Sequence, residues 1–343
     1  MREIIGGSLK TQTVYVVAKL GIPDQLSAGP RSAEDLAAQS QVHAPTLSRV
    51  LRFLAHCGVL TEHADGRFAL APPGESLQTA HPRSLRPTAI RAGEGMWTLS
   101  SRLLDAVRTG RTPYGEVHGK SFFDRDSDGA FAVRMSSSLD GLGEAIANLD
   151  CVKRARTIVD IGGGHGRLLA AVLQEHPQLR GVLFDRAQTI DAARDFIGRS
   201  GLAGRCELVA GDFFEAVPAG GDVYLLSWVL HDWDDERAAR ILRTCHRDGA
   251  VGATLLLVEV MLPPHAEAMS DKAVNAVIAD PFTLDLQMLL LTGGRERTTH
   301  EFRALLHSTD YTVRQILPLA SSKRGASLIE AEASHRGAAV SYE

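Results

Sequence analysis

Val159-Asp160-Ile161-Gly162-Gly163-Gly164-His165-Gly166 carries an apolar strand end into a glycine-rich turn. Ahead of it, Thr157-Ile158-Val159 reads as a buried parallel strand. Behind it, Arg167-Leu168-Leu169-Ala170-Ala171-Val172-Leu173 reads as the following helix. Glycines at such a junction let backbone N–H groups approach a bound cofactor closely. The dinucleotide fingerprint is G-x-G-x-x-G. Gly162 and Gly164 supply its first two glycines, but Arg167 occupies the third position and Gly166 comes one place early. Asp160 stands two residues before the first glycine, and this spelling speaks against NAD.

From residue 155 onward the pattern alternates between strand and helix. Strands are expected at 156–161, 180–185, 205–210, 222–230 and 253–260, with an edge hairpin of 311–318 and 325–331 after a helix from Thr299 to His307. Such alternation predicts an α/β fold, an open and mostly parallel seven-stranded sheet with helices on both faces. Ligands in these sheets sit at the carboxyl ends of the strands. Those ends carry Asp160, Asp185, Gly211-Asp212-Phe213, His231-Asp232-Trp233 and Glu259. Asp185 follows Gly162 by 23 residues, a spacing suited to an acid that bonds ribose hydroxyls. Asp212 reads either as an acceptor for an adenine amino group, with Phe213 as a face for the ring, or as a turn cap. His231 reads either as a surface residue or as a base. If the fourth and fifth strands pair, Glu259 reaches the imidazole, and a carboxylate on one ring nitrogen leaves the other as base. Asp234, Asp235 and Glu236 read as first-turn acids of the next helix.

Upstream, residues 1–20 show a helical apolar stripe. Ser32 caps a helix, Pro45 to Cys57 forms another ended by Gly58, and 59–62 with 67–70 form a hairpin around Asp65-Gly66. This is a winged helix, a motif that often binds DNA. Residues 1–90 hold nine Lys/Arg against seven Asp/Glu, and Arg49, Arg52 and His56 lie among apolar residues, so the basic face of a DNA reader is missing. A structural or dimerising domain over 1–90 is the expectation, with a helical connector over 91–150 and the α/β domain over 151–343.

Composition excludes several classes. A net charge of −4 gives no electrostatic ground for nucleic acid, and the longest apolar runs fall far short of a membrane span. The N-terminus shows no signal-peptide core, so a cytoplasmic location is expected. Cys57, Cys151, Cys206 and Cys245 are widely spaced, which indicates neither zinc nor a disulfide framework. No metal-ligand cluster is visible near the strand-end residues. Six lysines beside 31 arginines hint at a GC-rich bacterial source.

The D-x-G-x-G-x-G spelling of Asp160 to Gly166 resembles the S-adenosylmethionine (SAM) loop of Rossmann-like class I methyltransferases. Leu230-His231-Asp232-Trp233-Asp234-Asp235-Glu236, Gly211-Asp212-Phe213-Phe214 and Gly293-Gly294-Arg295-Glu296-Arg297-Thr298 make the likeness closer. In order and spacing they resemble the SAM-dependent O-methyltransferases of the plant caffeate and isoflavone type, whose bacterial relatives decorate polyketides and other aromatic natural products. Leu20-Gly21-Ile22-Pro23-Asp24 is similar to that family's dimerisation domain. The resemblance implies a homodimer built on the N-terminal domain, an aromatic acceptor, and SAM turned over to S-adenosylhomocysteine without metal. It implies His231 as the base, framed by Glu259 and Glu296. Asp185, Asp212, Phe213 and Trp233 would hold the nucleoside, and Met135 and Met288 would lie near the acceptor. Two departures stand out. Ser227 replaces the lysine of plant members at a contact to the adenosine part, and Pro263 to Pro281 looks several residues longer. Relatives that keep SAM for hydroxylation, decarboxylation or pericyclic chemistry are the alternative, with a winged-helix DNA-binding regulator behind them.

Overall fold

The computed structural model describes residues 1–125, 141–266, 280–322 and 325–334. The chain divides into two compact units, residues 1–104 and 105–343, so the helices expected as a connector over 91–150 are shared between them.

In the first unit, Arg2–Lys19 (α1) leads to Ala33–Ser40 (α2) and Ala44–His56 (α3). The hairpin of Leu60–Glu62 (β1) and Phe68–Leu70 (β2) follows, and then Arg86–Gly93 (α4). Ser32 caps α2 as expected, its hydroxyl accepting from the Asp35 N–H at 3.1 Å. Leu47, Leu51 and Leu54 of α3 are buried against Leu36 and Phe68. Arg49, Arg52 and His56 stay exposed on the opposite face, and Arg52 pairs with Glu62 at 3.4 Å. The sequence suggests no partner for the N-terminal helix, but the second half of α1 has one. Gln12 donates to the Gly93 carbonyl at 3.1 Å, and a Cβ on Gly93 would stand 2.2 Å from the Tyr15 ring. The missing side chain at Gly93 lets the two helices meet, a contact that hydrophobic periodicity cannot reveal. Ile4, Ile5 and Leu9 in the first half are 78%, 71% and 63% exposed.

The second unit is built on Thr157–Ile161 (β3), Arg180–Asp185 (β4), Cys206–Ala210 (β5), Val223–Ser227 (β6), Thr254–Leu262 (β7), the two-residue Arg297–Thr298 (β8), Tyr311–Pro318 (β9) and Ala326–Ala333 (β10). Their order is β5-β4-β3-β6-β7-β10-β9, with β8 beside the end of β7. Pairing is parallel from β5 through β7, and β10 runs antiparallel to both its neighbours. Side chains alternate between the two faces, as the two-residue period of a strand requires. Ile158, Leu183, Leu225 and Leu256 face one core with Arg167–Glu175 (α5) and Ala187–Arg199 (α6). Val159, Phe184, Leu226 and Leu257 face the other with Asp235–Asp248 (α7) and Thr299–His307 (α9). Each fully buried leucine of these layers contributes about 1.5–3 kcal/mol. Pro281–Leu291 (α8) packs on β7.

Two strand ends depart from expectation. The fourth strand stops at Ser227 rather than 230, because Trp228 turns into the left-handed region at φ +53, and Leu230–Asp232 form a short helical turn. The fifth continues to Leu262, so Glu259 lies inside the strand and not at its end. The chain goes from β3 outward to β4 and β5, then returns to β6 on the other side. That reversal opens a crevice at the carboxyl ends of β3 and β6.

Candidate active site

A cavity of about 400 Å³ occupies this crevice, within the range of small-molecule sites. Its lining brings together every expected cofactor residue: Asp160 near the end of β3 with Gly162 and Gly164 after it, Asp185 ending β4, Gly211, Asp212 and Phe213 after β5, Ser227 ending β6 and Trp233 beyond it. His231 lines it as well.

The glycine turn is tight enough to require its glycines. Gly162 and Gly164 have φ +68 and +59, and a Cβ on Gly162 would approach Val229 to 2.9 Å. A Cβ on Gly163 would stand 2.4 Å from the Asp160 carboxylate. Asp185 ties the turn to β4, one oxygen accepting from the Gly164 N–H at 2.9 Å and the other from the Arg186 N–H at 2.7 Å. One Asp212 carboxylate oxygen caps the turn, accepting from the Phe214 N–H at 2.8 Å, and the residue also borders the cavity.

Asp160 is 1% exposed, and neither carboxylate oxygen has a hydrogen-bond partner among the described residues. Burial, followed by the nearby Asp185 charge, pushes its pKa up to about 7. A buried carboxylate in this state favours a cation, and the amino-acid end of SAM offers an ammonium group. The Ser227 hydroxyl on the same wall is also buried, with no hydrogen-bond partner among the described residues. Orphaned acceptors beside an open glycine backbone fit SAM, so the set that would hold it is Asp160, the glycine turn, Asp185, Asp212 and Ser227.

An aromatic wall completes the site. Phe123 stacks on Trp233 at 5.3 Å and 22°, and Phe213 and Phe214 meet Trp233 edge-on at 6.0 and 4.8 Å. Arg186 donates to the Phe123 carbonyl at 2.9 Å and lies over its ring. Sequence reasoning missed Phe123 and Arg186. Phe123 sits in an apolar helical stripe that reads as core, and a cation over an aromatic ring leaves no periodic signal.

At the cavity wall His231 meets three acids. Its Nδ1 lies 2.9 Å from Glu296 and 3.9 Å from Glu259, and its Nε2 lies 3.8 Å from Asp232. The hydrogen-bonded carboxylate is therefore Glu296, not Glu259 as strand pairing suggests. Glu259 instead accepts the Leu230 N–H at 2.9 Å. Both glutamates are fully buried and border the imidazole rather than the cavity. Burial alone would lower the imidazole pKa, but Glu296, Asp232 and Glu259 outweigh it and raise the pKa to about 10. Burial also raises Glu259 to about 7 against the pull of His231, and Asp232 to about 6. Nδ1 is thus occupied by Glu296, which leaves Nε2 for the cavity side.

The sequence shows no metal-ligand cluster, yet the fold gathers one donor atom each from His231, Glu259 and Glu296 within 4.8 Å. They come from three separate elements, so no local spacing announces them. Nδ1 is committed to Glu296 and one Glu259 oxygen to the main chain, while the second oxygen of each glutamate is buried without a hydrogen-bond partner among the described residues. Met288 lies on α8 but not among the cavity's lining residues, and Met135 falls outside the described residues.

Comparison with known proteins gives two family matches, the O-methyltransferase domain over residues 100–312 and the O-methyltransferase dimerisation domain over 2–79. The chain is similar to a phenazine O-methyltransferase of Lysobacter antibioticus, at 38% identity over 96% of this chain and 94% of the relative. It is 35% identical to aclacinomycin 10-hydroxylase of Streptomyces purpurascens, over 87% of this chain and 80% of the relative. One similar solved structure is an O-methyltransferase from neocarzinostatin biosynthesis in complex with SAM and 2-hydroxy-5-methyl naphthoic acid. It aligns with a TM-score of 0.80 at 32% identity, over 95% of this chain and 96% of that one.

Proposed function

The chain belongs to the SAM-dependent O-methyltransferases that carry an N-terminal dimerisation domain, and from that premise we propose that it methylates a hydroxyl of an aromatic compound in bacterial secondary metabolism, with His231 as the base. The observation that carries this reading is the 2.9 Å contact of His231 Nδ1 with Glu296 at the wall of the cavity. It orients the ring so that Nε2 can take a proton from an acceptor hydroxyl. Bound SAM supplies a methyl group made electrophilic by its sulfonium. Phe123, Phe213, Phe214 and Trp233 offer flat apolar surface to aromatic rings and exclude water. A phenol has a pKa of about 10, matched by the raised imidazole, so proton transfer between them is close to thermoneutral.

The test is incubation with isotopically labelled SAM and a panel of a hydroxyphenazine, a hydroxynaphthoic acid and simple phenols, with mass detection. A labelled methyl ether supports the reading. A product that gains oxygen and no label overturns it in favour of the chemistry of the hydroxylase relative. Calorimetry is expected to show binding of SAM and S-adenosylhomocysteine and none of NAD. Dialysis against a chelator is expected to leave turnover unchanged, because the acids around His231 serve the imidazole. Loss of turnover restored by a divalent cation would assign the three buried donors to a metal instead.

The exposed Ile4, Ile5 and Leu9 on α1 support assembly of the first unit into a homodimer. Light scattering is expected to give a dimer at micromolar concentration, and deletion of residues 1–20 to give monomer or aggregate. A monomeric full-length protein would remove this reading.

A further inference from the structure

Arg297 closes the motif that begins at Gly293, and its charge pulls against the rise of the Glu259 pKa, though it bonds none of the acids that meet the imidazole. It heads the fully buried side chains by size and is 0% exposed. One Nη donates to the Leu230 carbonyl at 2.9 Å, the other to the Trp233 carbonyl at 2.8 Å, and Nε donates to Asp235 at 2.8 Å. Two of these acceptors flank His231 in the chain. The carbonyl of His231 itself accepts from the Arg295 N–H at 2.9 Å. From the same segment, a Cβ on Gly294 would stand 2.1 Å from that carbonyl oxygen and 2.4 Å from the Asp232 carbonyl carbon. Residues 294–297 therefore press against residues 230–233 along their whole length, and the same four residues deliver Glu296 to the ring.

A buried guanidinium is costly unless its donors are satisfied, and here it is met by two carbonyls and one carboxylate. That fork suits arginine alone. A lysine ammonium presents donors from one point and cannot span two carbonyls and an acid.

We propose that Arg297 is the positioning residue of the base, gripping the main chain on both sides of His231 so that one ring nitrogen meets Glu296 and the other meets the acceptor. The inference rests on His231 being the base and adds what holds it in place. It predicts that loosening the grip turns the ring away from Glu296 while Asp160, the glycine turn and Asp185, which Arg297 does not touch, keep their places.

The experiment follows the His231 imidazole by nitrogen NMR in the full-length protein, histidine-labelled and saturated with S-adenosylhomocysteine. The resonance is identified by its loss in His231→Ala. The groups facing the ring are Glu296, Glu259 and Asp232. In the wild type the Nδ1–H tautomer is expected, titrating well above an ordinary histidine. In Arg297→Lys the titration is expected to fall toward the ordinary imidazole range, with mixed tautomers. Turnover on the best phenol of the panel should drop about 10²-fold, the cost of a displacement near 1 Å, a larger loss than any change in S-adenosylhomocysteine affinity through the released Trp233 main chain. Gly294→Ala pushes the same loop from the other side with no change of charge and should reproduce both effects. It decides the matter if Arg297→Lys does not fold. Wild-type titration and turnover in either folded variant, with only a lower melting temperature, would overturn the proposal. If His231→Ala proves fully active, the base reading fails, and the ring's titration still reports whether Arg297 positions it.

Discussion

His231→Ala is expected to lower turnover on a phenolic acceptor by about 10²–10⁴-fold near neutral pH, the usual contribution of a positioned general base. SAM affinity should change little, because Asp160, the glycine turn and Asp185 lie on other strand ends. The direction of the pH dependence follows from the raised imidazole. The working form must lose a proton that Glu296, Asp232 and Glu259 together hold up to about 10. Wild-type turnover should therefore climb from pH 6 toward pH 9, roughly tenfold per unit while the proton is still bound. The variant's turnover should rise with the ionisation of the acceptor alone, at a similar slope for a phenol of pKa about 10, so its loss should persist across this range. Near wild-type turnover of His231→Ala at neutral pH would show that acceptor deprotonation does not depend on this ring.

Glu296→Gln is expected to be nearly as damaging, with losses up to about 10⁴-fold, as where a histidine base depends on a carboxylate for its tautomer. An amide can donate to Nδ1 and so place the proton on Nε2, which then offers a donor where the acceptor hydroxyl needs a base. Glu259→Gln should behave differently. Its contact to the ring is long, at 3.9 Å, and burial already raises its carboxyl pKa to about 7, which makes an uncharged side chain easier to accommodate there. The amide oxygen can still accept the Leu230 N–H. Its loss should stay within about tenfold, or 1.4 kcal/mol. Equal losses in the two variants, measured on one acceptor with folded protein, would refute this division of labour.

The strands were legible because buried parallel strands are apolar throughout and end in polar residues. Thr157–Ile161, Arg180–Asp185 and Cys206–Ala210 fall within one residue of the expected spans. The lining of the cavity was legible for the same reason, since most of the residues expected there stand at a strand's last positions or just beyond them. What the sequence hid depends on contacts between distant segments. Strand pairing alone suggested Glu259 for the imidazole, but its carboxylate turns to the Leu230 N–H and Glu296 arrives from a loop 65 residues after His231. The end of β6 was missed because Trp228 is a bulky residue in the left-handed region, a conformation no propensity anticipates. Arg297 reads in the sequence as one charge among several, and only its depth gives it meaning.

The place of β10 has a consequence for synthesis. β7, the longest strand among the described residues, has one neighbour in β6, made some thirty residues earlier, and the other in β10, which starts 66 residues beyond the register position Val260. At about 5–20 residues per second, translation leaves that edge of Leu255 to Val260 uncovered for about 3–13 s. An unpaired apolar edge is a template for pairing with another chain. Yield of this protein should therefore be governed by translation speed and by holdase chaperones more than by the stability of the finished fold. A nascent chain halted before residue 326 should aggregate even though every residue around His231 has already been made.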